Sequence, residues 1–280
     1  MFKKILLSLL LVVFIVGVGV YGWIQGWHLS RQSSDALERM LAPHYEVFVP
    51  DGTPPFATVV GYHGCSGTLL GARDWANVFK EAGYAVVLVE SMTPRDVHWR
   101  DVCAGKILWG NERAGDVMVS LDAVRRLPFV DPNRLHLIGW SHGGWSLMDA
   151  FYYAGKQQRP PNLRDALPAP LEGVLSATFF YPFCEFPSVG RHGWPQSFPT
   201  HFIFADRDSI VSNAACERVI DRQRAQQRPV SATTYVDTDH AFDMRDEDFY
   251  DGTLGNQPDA TRQVRADMLL NLRRWTPESD

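Results

Sequence analysis

Three short segments of this chain hold the residue types that acyl transfer needs. Gly139-Trp140-Ser141-His142-Gly143 sets a serine between glycines, after the apolar run Leu135-His136-Leu137-Ile138 and before the helix-like stretch Trp145 to Tyr153. Where a buried strand passes sharply into a helix, side chains beside the turn collide, and glycine two residues either side of the serine relieves the crowding. The hydroxyl then stands clear at the strand end, near the first N–H groups of the helix. Tyr235-Val236-Asp237-Thr238-Asp239-His240-Ala241-Phe242 reads as a strand followed by a histidine. Phe202-Ile203-Phe204-Ala205-Asp206-Arg207-Asp208 reads as a strand running into two acidic residues. A serine hydroxyl is a poor nucleophile until an imidazole accepts its proton, and a carboxylate must orient that imidazole. Ser141 and His240 therefore pair as nucleophile and base, with Asp206 and Asp208 both candidates for the acid.

Acyl transfer also needs donors aimed at the oxygen that becomes negative in the tetrahedral intermediate. His63-Gly64-Cys65-Ser66-Gly67 follows another apolar run and suits that task, since backbone N–H groups are fixed in advance by the fold. One donor is expected from this loop and one from the residue after the nucleophile. These are the N–H groups of Cys65 and His142.

The rest of the chain must position these groups. Tyr45–Val49, Ala57–His63, Ala85–Glu90, Leu135–Trp140, Gly173–Tyr181, His201–Ala205 and Ala232–Val236 read as strands. Trp75–Ala82, Glu112–Leu127, Asn213–Gln226 and Arg262–Trp275 carry helical spacing. Apolar strands alternating with helices imply an α/β fold, a mostly parallel sheet with helices on both faces. Ligands of such sheets bind outside the carboxyl ends of the strands, where all the motifs above fall.

With 280 residues, 45% hydrophobic and 21% charged, the chain has enough material for one sizeable core. A formal net charge of −5 and scattered basic residues argue against a nucleic-acid partner. Nothing in the composition bears on oligomeric state.

The N-terminus points to export. Lys3 and Lys4 precede an uncharged, mostly apolar stretch from Ile5 to Ile24. As a helix it would rise roughly 30 Å, the thickness of a bilayer's hydrocarbon core. The absence of an Ala-x-Ala site favours an uncleaved signal anchor over a cleaved signal peptide. In either case the lysines stay in the cytoplasm and the remainder is exported. The chain thus divides into an N-terminal membrane or signal segment (1–27), a polar connector (28–43) and a catalytic domain (44–280). Cys65, Cys103, Cys184 and Cys216 are an even set, without zinc or C-x-x-C spacing, and suit disulfides in an oxidising compartment.

The segments Tyr62-His63-Gly64-Cys65-Ser66-Gly67, Glu90-Ser91-Met92-Thr93-Pro94-Arg95, Gly139-Trp140-Ser141-His142-Gly143-Gly144, Tyr181-Pro182-Phe183-Cys184 and Asp239-His240-Ala241-Phe242 together resemble the dienelactone hydrolase family. The resemblance runs from about Tyr45 to Trp275. It implies an α/β-hydrolase fold without a large cap domain, acting on esters or lactones with no metal or cofactor. The founding members carry a cysteine at the elbow and a glutamate near the oxyanion loop. Here Ser141 replaces the first and Gly64-Cys65 stands at the second, which favours a general serine esterase over dienelactone itself as substrate.

In the family pattern the acid is the third residue after a small strand-ending residue. With Ala205 in that place, Asp208 is the acid, and Asp206 meets solvent or Arg207. In the standard fold Cys184 and Cys216 follow the ends of neighbouring strands, and Cys65 and Cys103 follow another such pair. Bridges Cys184–Cys216 and Cys65–Cys103 are therefore expected. Arg95, Trp99, Trp109, Phe183 and Phe242 follow strand ends and are candidates for substrate binding. Arg95 alternatively pairs with Glu90, Asp96 or Asp101. The expected function is an exported or membrane-anchored serine hydrolase of small esters or lactones. A thioesterase or peptidase with the same triad, and a silent binding protein on the same fold, are the alternatives.

Overall fold

The apolar runs become the strands of one sheet, its inner strands buried on both faces, in a computed structural model of the chain, which describes residues 2–24, 31–167, 169–248 and 254–277. In chain order the elements are α1 (Phe2–Ile24), α2 (Ser34–Leu41), β1 (Glu46–Phe48), β2 (Phe56–Tyr62), α3 (Leu70–Glu81), β3 (Ala85–Val89), α4 (Trp99–Cys103) and α5 (Gly110–Arg125). There follow β4 (Val130–Trp140), α6 (His142–Gly155), β5 (Val174–Phe180), β6 (Thr200–Ala205), α7 (Asn213–Ala225), β7 (Val230–Tyr235) and α8 (Pro258–Trp275). The strand order is β1-β3-β2-β4-β5-β6-β7, with β1 antiparallel and every other pairing parallel.

Side chains alternate between faces along a strand, so each buried strand feeds two cores. Val60, Tyr62, Val87, Val89, Leu135 and Leu137 pack against α5, α6 and α7. Val59, Val86, Leu88, Ile138 and Trp140 point the other way, against α3 and α8. Among the described residues no connection carries a separate folded cap. The parallel strands bring the ends of β2, β3, β4, β5, β6 and β7 to one edge of the sheet, and the loops that follow them meet there.

Part of the stretch expected as a connector, 28–43, is folded onto the domain. Ser33 caps α2 by accepting the N–H of Ala36 at 3.3 Å. Leu37 and Leu41 are buried with Val119 of α5 and Leu163. Eight residues hold too few turns for an apolar period to stand out, so α2 reads as polar until its partner is seen.

Helix α1 contains a 20-residue apolar span, Lys3–Gly22, with mean hydropathy 2.7, long enough to cross a membrane.

Candidate active site

At the end of β4 the backbone makes the turn that the glycines imply. Ser141 has φ 50° and ψ −112°, a conformation that costs energy for any residue with a Cβ. A Cβ on Gly139 would lie 2.6 Å from the carbonyl carbon of Gly143, and one on Gly143 would lie 2.0 Å from the carbonyl oxygen of Tyr62. Gly143→Ala is therefore expected to push β2 and its following loop away from the elbow, costing more than about 3 kcal/mol of stability. Thermal denaturation checks this, and an unchanged Tm would refute the packing argument.

Three side chains from three strand-end loops stand in line. His240 Nε2 lies 3.0 Å from Ser141 Oγ, and His240 Nδ1 lies 2.9 Å from Asp208 Oδ2. The Asp208 carboxylate is almost fully buried. Its Oδ1 accepts the N–H groups of Ile210 and Val211 at 2.9 and 2.8 Å, which pins it in the loop after β6. Asp239 accepts the N–H of His240 at 2.6 Å and that of Ser209 at 2.7 Å, tying the histidine loop to the acid loop. Asp206 is not the carboxylate that meets the histidine: that contact is made by Asp208. The Asp206 carboxylate is exposed to solvent, one of the two surroundings expected for it, and it accepts the N–H of Thr238 at 2.9 Å, which holds its pKa down, while the Arg207 guanidinium pairs with Asp237.

The loop after β2 lies against the serine. A Cβ on Gly64 would sit 3.6 Å from Ser141 Cβ and 3.6 Å from Trp140 O, so the backbone passes close to the hydroxyl. Cys65, next in that loop, is bridged to Cys103 of α4. At the far end of the loop, Glu90 accepts the N–H and hydroxyl of Thr68 at 3.0 and 2.9 Å. Burial pushes the Glu90 carboxyl up, but the His63 imidazole at 3.2 Å and the N–H groups of Met92 and Thr68 outweigh it, leaving the group well below the usual carboxylate range. The second bridge, Cys184–Cys216, joins the loop after β5 to α7.

The expected walls divide. Phe183 is half-buried, with its ring 4.8 Å from Trp145, which itself packs 4.9 Å from His142. Trp99 packs with Cys65 and Val97 onto Met92, Val102 and Leu108, beneath the bridged loop. Trp109 donates its indole N–H to Gly105 O at 2.6 Å and begins α5. Arg95 pairs with none of the three acids expected for it. Its guanidinium makes a bidentate contact with Asp116 at 2.7 and 2.9 Å and donates to Ser91 O at 2.6 Å. Phe242 is not a wall. The positive φ of Ala241, 60°, turns the chain inward, and the Phe242 ring is fully buried beside Tyr235 and Tyr181.

Two buried acids behind the site escaped the sequence reading. Asp243 accepts from Tyr181 Oη at 2.6 Å, Trp75 Nε1 at 2.7 Å and Trp140 Nε1 at 3.3 Å. Burial pushes its carboxyl up against those three donors. The Tyr181 ring it holds packs 4.6 Å from His240 and fixes one face of the imidazole. Asp149 accepts from Gly190 N, Ser188 Oγ and Trp145 Nε1 at 2.6, 2.7 and 2.7 Å, and burial raises its pKa to about 7. Asp243 lies three residues after His240, a spacing that could have drawn attention. Asp149 carries no such signal.

The prolyl oligopeptidase family matches residues 73–155, a segment shorter than a third of the chain that includes the serine elbow. No curated protein sequence matches. Among solved structures, a Klebsiella pneumoniae protein assigned as a dienelactone hydrolase is 14% identical with a TM-score of 0.63, over 82% of this chain and 92% of that one. A dienelactone hydrolase-like promiscuous phosphotriesterase from metagenomic libraries is 16% identical with a TM-score of 0.61, over 83% and 92%. Thermogutta terrifontis esterase 2, in a structure phosphorylated by paraoxon, is 13% identical with a TM-score of 0.62, over 84% and 90%. At such identities the likeness speaks for the fold. The chain has an α/β-hydrolase fold of dienelactone hydrolase-like architecture.

Proposed function

We propose that this protein is a serine hydrolase of small carboxylic esters or lactones, working through an acyl-enzyme on Ser141. The observation that carries the reading is the aligned relay of Asp208, His240 and Ser141, with contacts of 2.9 and 3.0 Å. His240 Nδ1–H donates to Asp208, which leaves Nε2 free to accept the serine proton. The Ser141 oxygen attacks the ester carbonyl carbon, and the carbonyl oxygen becomes an oxyanion facing the N–H groups of Cys65 and His142. As the tetrahedral intermediate collapses, the C–O bond to the alcohol breaks and His240 returns the proton to the leaving oxygen. Water then attacks the acyl-enzyme by the same steps in reverse roles, releasing the acid and Ser141.

The prolyl oligopeptidase match over the elbow supports a second reading, cleavage of a peptide bond by the same residues. A panel of short-chain acyl esters, lactones, thioesters and prolyl peptides separates the two. Hydrolysis of esters or lactones well above thioesters and peptides is the expected result. Peptide cleavage with no ester turnover would replace it.

We place the catalytic domain outside the cytoplasm, held by α1. An apolar span of 20 residues, Lys3–Gly22, with Lys3 and Lys4 at its start, and two disulfides, support that placement. The full chain is expected to stay in the membrane fraction through high-salt and carbonate washes, and deletion of residues 1–27 to release an active soluble domain. A mature mass starting near Val20 or Trp23 would show instead that the segment is cleaved.

A further inference from the structure

Behind the site, α5 buries an arginine in the core, and the acyl-transfer steps above make no use of it. Arg113 is 1% exposed. Its Nη1 donates to the carbonyl oxygen of His63 at 3.0 Å and meets His142 Nδ1 at 3.0 Å. A guanidinium has no acceptor, so Nδ1 of His142 must accept, and the imidazole is neutral with its proton on Nε2. Burial and then the charge of Arg113 hold the His142 pKa well below its usual value, in agreement with that tautomer. Burial lowers the Arg113 pKa to about 10 against the pull of Asp116 and Glu90, so the guanidinium stays charged at neutral pH.

The two partners of Nη1 are the ends of two different loops. The His63 carbonyl belongs to the peptide that leads into Gly64 and Cys65. His142 follows Ser141 and opens α6. One guanidinium therefore spans from the loop after β2 to the first residue of the helix after β4. An apolar side chain would fill this core position at less desolvation cost. What the arginine adds is a fixed link between the two segments.

We propose that Arg113 is a positioning residue that sets the spacing between the N–H groups of Cys65 and His142. The assignment rests on the reading of Ser141 as nucleophile. Oxyanion donors act when they lie about 2.7–3.1 Å from the developing charge, and removing one donor costs roughly 100- to 1000-fold in turnover. A loosened pair costs less, on the order of 30-fold, because the donors remain but are no longer held in place.

The test uses the full-length protein in detergent with Arg113→Met, Arg113→Lys and Ser141→Ala. Sites are counted by fluorophosphonate labelling carried to completion, so that misfolded protein drops out of the rate. Arg113→Met is expected to lower kcat per labelled site about 30-fold with KM nearly unchanged, and Arg113→Lys to fall between it and the wild type. Nitrogen-15 NMR of the wild-type imidazole is expected to show the His142 proton on Nε2. A lowered Tm with wild-type kcat per labelled site would overturn the proposal, since that is what a purely structural role produces. A wild-type His142 carrying its proton on Nδ1 would also overturn it, and this measurement stands if the methionine variant does not fold. Ser141→Ala with undiminished hydrolysis would be a different failure: it removes the nucleophile and the role of Arg113 with it.

Discussion

Ser141→Ala is expected to lower ester turnover on the order of 10⁶-fold, as loss of the nucleophile does in a comparable triad. The size follows from the geometry. His240 Nε2 faces Ser141 Oγ at 3.0 Å, and the alanine methyl leaves the imidazole with no hydroxyl to deprotonate. The elbow backbone should survive, because its conformation is set by Gly139 and Gly143 rather than by the serine hydroxyl. Residual rate of about 10³-fold over water is the expectation from the oxyanion donors and substrate binding alone. Steady-state hydrolysis of a short-chain ester, with Tm as the folding control, measures this. Turnover near wild type in the folded variant would end the acyl-enzyme reading.

Asp208→Asn is expected to lower turnover about 10⁴-fold, while Asp206→Asn leaves it near wild type. The asparagine at 208 can keep its Oδ1 as acceptor for the N–H groups of Ile210 and Val211. Its NH₂ group then faces His240 Nδ1, which must accept rather than donate. That forces the imidazole proton onto Nε2, the atom that has to take the serine proton. Geometry is retained and the tautomer is wrong. At position 206 the same change keeps an oxygen for the Thr238 N–H and touches no part of the relay. The opposite ranking, measured on folded proteins at neutral pH, would move the acid to Asp206.

Which parts of this site could be read from sequence follows from where each partner lies along the chain. Ser141, His240 and the Gly64-Cys65 loop each follow an apolar run and carry small or polar residues whose types announce a turn. The choice of Asp208 over Asp206 was not local. It came from the family's spacing after Ala205, and the physical reason shows only in the fold, where two backbone N–H groups hold the Asp208 carboxylate beneath the imidazole.

Helix α5 illustrates what stays hidden. Glu112, Arg113 and Asp116 are charged residues, but α2 and α6 pack against that helix, and all three are buried. Because α2 passed as a polar connector, nothing in the sequence indicated that α5 had no exposed face here. Arg95 has Glu90, Asp96 and Asp101 near it in sequence, but its partner Asp116 lies 21 residues further on. Phe242 misled for the opposite reason. Its place directly after the histidine loop suggested a pocket wall, and one residue with positive φ, Ala241, sends its ring into the core.

The acyl-enzyme itself is the most direct object to measure. Full-length protein treated with a fluorophosphonate, digested and analysed by tandem mass spectrometry should carry one stoichiometric adduct, on Ser141. Labelling should vanish in Ser141→Ala and slow sharply in His240→Ala. A stoichiometric adduct on any other residue, or an enzyme that hydrolyses esters while Ser141 stays unmodified by the probe, would contradict the account.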